Sequence, residues 1–222
     1  MMKIQKSTLN FLKTLKKNNN RDWFNRNKSH YEDSKYNFEI YLDALIQKIS
    51  KFDTSLTGLQ SKDCMFRIYR DIRFSKNKSP YKANFGAVIA KSGRKSSLAG
   101  YYFHLEPGNK SILAGGLYVP EQEVLTAVRT AIMKNYKGFR KIIKSRKFRE
   151  YFGDIWGEKL KTAPKGFSKN HPSSEYLKYK SYIVVHQLTD QQVLSSSLID
   201  YSANIFKAMK PFNDFLNNSA RS

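Results

Sequence analysis

The segment from Arg67 to Lys82 is the part of the chain best equipped to bind an anion. It holds three arginines and three lysines against one acidic residue, Asp71. Guanidinium and ammonium groups donate charge-assisted hydrogen bonds to phosphate and carboxylate oxygens, and hydroxyl groups add neutral donors. We expect an anion site where the loop after the arginines folds back beside them and beside one histidine. The candidate anion-binding residues are Arg67, Arg70, Arg73, Ser75, Lys76, Lys78, Tyr81, Lys82 and His104.

Alternating hydrophobicity predicts how this segment is held. Apolar residues occupy every second position but one from Phe66 to Phe74, which is typical of a half-buried strand. Arg70 falls on the apolar face of that strand. An unpaired charge there would be costly, so we expect Arg70 to be buried and paired with a carboxylate from elsewhere in the fold. The alternative interpretation is a structural network of salt bridges followed by a solvated loop.

The sequence also permits an enzyme that acts on a small anionic substrate. Arg70 or Arg73 would hold the substrate, and His104, Asp71 or Tyr81 would transfer the proton. His104 and a glutamate two positions later would share one face of a strand, as a general-base pair requires. The four histidines have no metal-ligand spacing, and phosphate-loop, nucleophile-elbow and dinucleotide motifs are missing from the sequence. We therefore predict no metal and no cofactor.

The net charge of +22 favours polyanionic partners, but its composition weakens that inference. Lysines number 29 and arginines 11, whereas nucleic-acid recognition relies on arginine for bidentate contacts. A lysine-rich surface also follows from the base composition of a genome. The charge is nevertheless uneven, because residues 75–148 hold 15 basic and three acidic side chains. A nucleic-acid partner and a charge without function both stay open.

The hydrophobic period along the chain predicts the order of the elements. Helical spacing over residues 31–52 gives way to alternation over residues 64–119, where short turn-rich connectors favour antiparallel pairing. Helical spacing returns over 120–150 and again over 190–216, after one further strand at 182–188, and Thr189 to Gln192 has the pattern of a capping box. The predicted fold class is α+β, with an antiparallel sheet from the middle of the chain flanked by N- and C-terminal helices.

Basic residues also surround the predicted helix from Tyr136 to Tyr151. Such a helix can lie on a membrane or along nucleic acid, but it is more often a surface helix whose apolar side faces the core. The chain has no signal-peptide pattern and no apolar run long enough to span a membrane, and its single cysteine, Cys64, cannot form an internal disulfide. We predict one domain over residues 1–222 in the cytoplasm.

Several motifs resemble one bacterial and fungal family. They are the stretch 67–82, the runs 100–108 and 114–120, an opening motif at 20–24, and the segments 164–167 and 171–172. These motifs follow one another along nearly the whole chain, and in that order they are similar to members of domain of unknown function 2461. Asn77 and Ser79 stand where the family pattern has Asp and Thr. The resemblance implies one domain of this length and supplies no activity, cofactor or catalytic residue.

Three hypotheses of function remain from the sequence. The first is a basic protein that binds a phosphate-bearing or other anionic ligand, nucleic acid included, through the segment from Arg67 to Lys82. The second is an enzyme acting on a small anionic substrate. The third is a scaffold without a ligand, whose charge reflects composition alone. An open basic surface would favour the first, and a deep pocket the second.

Overall fold

A computed structural model describes residues 2–220, and its helices precede, interrupt and follow one sheet. The helices are α1 Lys6–Lys17, α2 Arg21–Arg26, α3 Lys28–Ser50, α4 Ser61–Cys64, α5 Gln122–Lys134, α6 Tyr136–Ile143, α7 Arg146–Phe152, α8 Ser174–Leu177, α9 Asp190–Leu194 and α10 Leu198–Ser219. The strands are β1 Phe85–Ile89, β2 Gly100–Leu105, β3 Ser111–Leu117 and β4 Tyr182–Leu188. The predicted α+β class is confirmed.

The four strands form an antiparallel sheet in the order β1-β2-β3-β4. Three of them come from residues 64–119, as the alternation predicts. The turn between β2 and β3 places Gly108 and Asn109 at positive φ, and the carboxylate of Asp190 accepts hydrogen bonds from both backbone N–H groups. Asp190 opens α9, whose predicted capping box between Thr189 and Gln192 is present.

The long helices pack on one face of the sheet. Phe38 and Tyr41 of α3 contact Phe103 of β2, and Phe206 of α10 contacts Tyr101. These aromatic side chains belong to a buried cluster that extends from α1 to α10. Successive strand residues point to opposite faces, so Tyr102 and His104 lie on the other side of the sheet and are only partly buried.

Helix α10 approaches the sheet closely because β3 has a glycine where they meet. A Cβ at Gly115 would collide with Met209 Sδ and lie 2.5 Å from the carbonyl oxygen of Gly100. Asn213 Nδ2 donates to that same carbonyl at 3.0 Å. The amide of Asn217 both accepts from Ala99 N–H and donates to Ala99 C=O. Two asparagines thus give the buried helix polar links to the start of β2.

The predicted strand from Phe66 to Phe74 is wrong. From Met65 to Phe74 the chain makes two isolated bridges with other described residues, Met65 with Ala87 and Tyr69 with Tyr81. Of its apolar positions Ile68 is buried, whereas Phe74 is 95% exposed. After its contact with β1 the chain leaves the sheet, and Tyr69 pairs with Tyr81 further along the same segment. The alternating pattern is local, and too few partners exist to extend it into a ladder.

The predicted helix over 120–150 is divided into α5, α6 and α7. Asn135 caps the second of these helices by accepting from Gly138 N–H. The basic stretch buries its apolar side, since Phe139 and Phe148 both contact Phe212 of α10. Its lysines and arginines therefore cover a core-facing helix pair. Across residues 2–220, no helix combines the length and the hydrophobicity needed to cross a bilayer.

We predict that Gly115→Ala lowers the free energy of unfolding by about 1–3 kcal/mol, the usual cost of overpacking a core. Urea denaturation measures the change. Met209→Ala should cost less in the Gly115→Ala protein than in the unsubstituted one, because it removes the side-chain atoms of Met209 that the new methyl group meets. An unchanged unfolding midpoint in Gly115→Ala would contradict the close approach of α10 to β3.

Candidate functional site

Residues 66–82 fold back on themselves beside the edge strand β1, and we call them the basic hairpin. Phe66 N–H donates to Gly86 C=O at 2.9 Å, which attaches the start of the hairpin to β1. Arg70 N–H donates to Pro80 C=O, and Lys82 N–H donates to Ile68 C=O, which closes the hairpin. The predicted return of the loop toward Arg67 is present.

Three of the six cations of the basic hairpin hold its own backbone. Lys78 Nζ donates to Ile72 C=O at 3.1 Å, and Lys82 Nζ donates to Arg67 C=O at 3.0 Å. These ammonium groups satisfy carbonyls that a loop leaves without ladder partners. Burial lowers the pKa of Lys82, and the neighbouring guanidinium of Arg67 lowers it further. The lysines thus shape the hairpin and add to its positive charge.

Arg73 forms an ion pair within the hairpin. Its Nε and Nη2 donate to the two carboxylate oxygens of Asp71 at 3.0 and 2.7 Å. The side-chain hydrogen bond from Arg73 holds the pKa of Asp71 below its ordinary value, and the reciprocal bond raises the pKa of Arg73. Both side chains are exposed. Asp71 is therefore a partner of Arg73 and is poorly placed to act as a base.

The prediction that Arg70 is buried beside a carboxylate is wrong. Arg70 is half-buried, with Nη1 donating to Ser79 C=O at 3.0 Å and Nη2 donating to the Ser75 hydroxyl at 3.3 Å. Within the described residues no carboxylate pairs with it. Because the expected strand does not form, Arg70 faces the returning loop instead of the core. It fixes the position of Ser75.

Two exposed cations of the basic hairpin stay available to a ligand. Within residues 2–220, the guanidinium of Arg67 and the ammonium of Lys76 have neither a hydrogen-bond nor an ion-pair partner. Phe74, which lies between Arg67 and Lys76 in the sequence, has an exposed phenyl ring. Tyr81 differs from this group, because its ring is buried against Phe24 with centroids 3.9 Å apart and burial raises its pKa.

His104 belongs to a separate array on the partly exposed face of β2. Tyr102 Oη and His104 Nδ1 are 3.1 Å apart, and His104 Nε2 and Glu106 Oε2 are 3.1 Å apart. Lys16 Nζ donates to Glu106 Oε1 at 3.0 Å. The predicted sharing of one strand face by His104 and Glu106 is present. His104 is tied to this array and not to the loop of the basic hairpin.

Electrostatics assigns the protons of this array. Burial by itself would raise the pKa of Glu106, but hydrogen bonds from His104 and Lys16 outweigh it and hold the pKa below its ordinary value. An ionised Glu106 accepts from His104 Nε2–H, and in the neutral form of the imidazole Nδ1 then accepts from the Tyr102 hydroxyl. Burial raises the pKa of Tyr102 to about 12, so its phenol keeps the proton that it donates.

Sequence reasoning missed two polar residues. Arg129 of α5 is only 3% exposed, and its Nη2 donates to Tyr179 C=O at 2.9 Å. Among the arginines of residues 2–220 it is the one that is buried, the role that the sequence predicts for Arg70. Its place on the apolar stripe of α5, between Val128 and Ile132, was the available signal. Tyr102 was missed because tyrosine in a strand is ordinary; only its contact with His104 distinguishes it.

We predict that Glu106→Gln lowers the melting temperature at pH 7. The lowered pKa means that ionised Glu106 stabilises the fold above the ordinary carboxyl pKa of about 4.3, and that this stabilisation is lost as pH falls through the lowered value. The difference between the two proteins should therefore shrink below about pH 4. Glu175→Gln, which removes an exposed partner of Lys178, is the control and should change little. Equal melting temperatures at pH 7 would contradict the array.

Comparison with known proteins gives one match. The model of a family described as conserved hypothetical protein (DUF2461) matches residues 7–215. That range contains the basic hairpin, all four strands of the sheet and most of α10. Curated proteins and solved structures give no match. Because the match covers nearly the whole chain, this protein belongs to the DUF2461 family of conserved hypothetical proteins.

Proposed function

We propose that this protein binds a phosphate-bearing ligand through the exposed surface of the basic hairpin. The observation that carries the proposal is the division of labour among its cations. Arg70, Lys78 and Lys82 hold the backbone of the hairpin, whereas Arg67 and Lys76 are exposed and unpaired within the described residues. Internal bonds fix the shape of the surface, and the two free cations supply donors for the ligand.

Preorganisation favours binding at such a surface. A flexible loop loses conformational entropy when a ligand orders it, whereas a hairpin held by its own hydrogen bonds has already lost much of it. Phosphate oxygens accept charge-assisted hydrogen bonds from guanidinium and ammonium groups, and these bonds are stronger than neutral ones. The single acidic residue, Asp71, is neutralised by Arg73 and does not repel an anion. The hairpin therefore presents net positive charge to solvent.

An open surface favours a binding protein over an enzyme. The side chains of Arg67, Arg73, Lys76 and Lys78 are exposed, so a ligand would meet them from bulk solvent. Ion pairing in that setting is screened by salt, and affinity falls as ionic strength rises.

The proposed compartment stays the cytoplasm, which fits a chain with one cysteine, Cys64.

An enzyme acting on a small anionic substrate is the second candidate, and the array on β2 favours it. Tyr102, His104 and Glu106 form a hydrogen-bonded series in which the tyrosine oxygen could take a proton from a substrate while its own proton passes to His104 Nδ1, and Glu106 stabilises the imidazolium that forms. The two candidates differ in salt dependence. A small substrate would saturate one site with a shallow dependence on salt, whereas a polyanion gives a steep one.

We predict that Arg67→Ala with Lys76→Ala weakens binding of inorganic polyphosphate. The slope of log affinity against log salt should fall by about two, since each lost phosphate contact removes about one unit. Fluorescence anisotropy with labelled polyphosphate at three salt concentrations measures it. Lys51→Ala with Arg146→Ala removes the same charge from exposed positions elsewhere and should leave the slope nearly unchanged.

The control decides between function and composition. Equal losses in the two double variants would show that only total charge matters, which supports the scaffold hypothesis. Absence of binding in the unsubstituted protein would have the same meaning. Both outcomes would overturn the proposal.

A further inference from the structure

The face of the sheet opposite the helices is lined by partly exposed side chains, and we call it the open sheet face. Ile183 and Val185 of β4 are partly exposed, whereas their neighbours Tyr182 and Val184 are fully buried on the helical side. Strand register groups the open residues in rows. The residues of this face are Gly86, Val88, Tyr102, His104, Ile112, Ala114, Gly116, Ile183, Val185 and Gln187, of which Gly86 and Ala114 are buried and the others at least partly exposed.

An exposed aromatic residue borders the open sheet face at each edge. Phe66 pairs with β1 through its bond to Gly86, and it follows Met65, which packs on the core side. Trp156 bridges Ile183 of β4 and follows the buried Ile155. Alternation therefore places both rings on the open side. Phe66 is 38% exposed and Trp156 is 62% exposed.

The chemistry of the Phe66 edge combines a ring with cations. Lys82 Nζ lies 5.3 Å from the centroid of the Phe66 ring. Arg67, whose guanidinium is unpaired within the described residues, is the next residue along the chain. The middle of the face supplies an apolar row of Val88, Ala114 and Val185 around the Tyr102 ring. A partner suited to this face carries flat apolar groups and negative charges at short intervals.

We propose that a single-stranded nucleic acid lies diagonally across the open sheet face, with bases stacked on Phe66 and Trp156 and with its backbone phosphates on the basic hairpin. This inference rests on the proposed phosphate binding and names its ligand. Base stacking on aromatic side chains and backbone tracking by cations are the general means of binding single strands. A duplex hides the faces of its bases inside the stack and offers only phosphates.

The dimensions of the face suit a short stretch of nucleic acid. Phe66 and Trp156 are separated by the four strands, that is, by five strand spacings of about 4.8 Å, or about 24 Å across the sheet. They also lie in different rows, because Phe66 aligns with Gly86 and His104, whereas Trp156 aligns with Ile183. A strand of a few nucleotides covers that path, within the range of site sizes known for single-strand binders.

The test compares a 12-nucleotide oligothymidylate with inorganic polyphosphate, a base-free polyanion. Phe66→Leu and Trp156→Leu should each weaken oligothymidylate binding by about tenfold and leave polyphosphate binding unchanged. Tyr36→Leu is the matched control, since Tyr36 is exposed on α3, away from the sheet. It should change neither affinity. Melting temperatures verify that each variant is folded.

A second measurement does not depend on the leucine variants. The chain has two tryptophans, so in a Trp23→Phe protein Trp156 is the remaining one, and selective excitation of tryptophan reports on it alone. Oligothymidylate should quench that emission by stacking on the indole, and polyphosphate should not. Loss of quenching in Arg67→Ala with Lys76→Ala at matched concentration would tie the stacked base to the hairpin.

The outcomes separate the two proposals. If both probes bind, and only the hairpin variant weakens them, the sheet-face inference is overturned and phosphate binding stands. If neither probe binds, both are overturned. A duplex of the same length that binds as tightly as the single strand would overturn the inference. So would polyglutamate that binds as tightly with the same dependence on Phe66 and Trp156, since it would identify an acidic protein segment as the partner.

Discussion

Contact between α10 and β3 is the constraint on which the rest of the structure depends. Gly115 lets Met209 rest against the strand backbone, and two asparagines of α10 bond to the backbone at the start of β2. A helix held this close determines which face of the sheet is the core side. Helices α3, α6 and α7 then pack around α10. Phe212 of α10 contacts Phe139 of α6 and Phe148 of α7, the two basic helices. The lysine-rich stretch is thereby used to cover the core.

Packing on one side leaves the other face of the sheet to a different use. An antiparallel sheet can have one face against the core and the other in solvent, with side chains alternating accordingly. In this protein the second face is not simply polar: it carries apolar side chains, a tyrosine and a histidine. The aromatic residues at its two edges continue it beyond the four strands. The apolar side chains of this face are partly exposed, and cations lie at its Phe66 edge, which is the basis on which we propose an anionic partner.

Positive charge in the basic hairpin has two roles, which composition alone does not distinguish. Lysine and arginine side chains bond to loop carbonyls, so part of the charge maintains a backbone that has no ladder. The carboxylate of Glu106 is likewise held by internal bonds, because Lys16 of α1 and His104 of β2 each bond to one of its oxygens. Electrostatics therefore joins the N-terminal helix to the sheet. Within the basic hairpin, the positive charge that no internal bond uses lies at Arg67 and Lys76.

The amino-acid sequence by itself determined the class of the fold, the strands β1, β2 and β3 in the middle of the chain, the last strand β4 and the capping box at Thr189. These depend on local periodicity and turn chemistry, which neighbouring residues specify. It also located the charged segment and the shared face of His104 and Glu106. Only the tertiary structure decided that the segment after Met65 is a hairpin, that Arg129 and not Arg70 is buried, and that one sheet face stays open. Those outcomes depend on which residues the fold brings together. Helix α10 occupies one side of the sheet, and Arg70 bonds to Ser75 and Ser79 and not to a carboxylate.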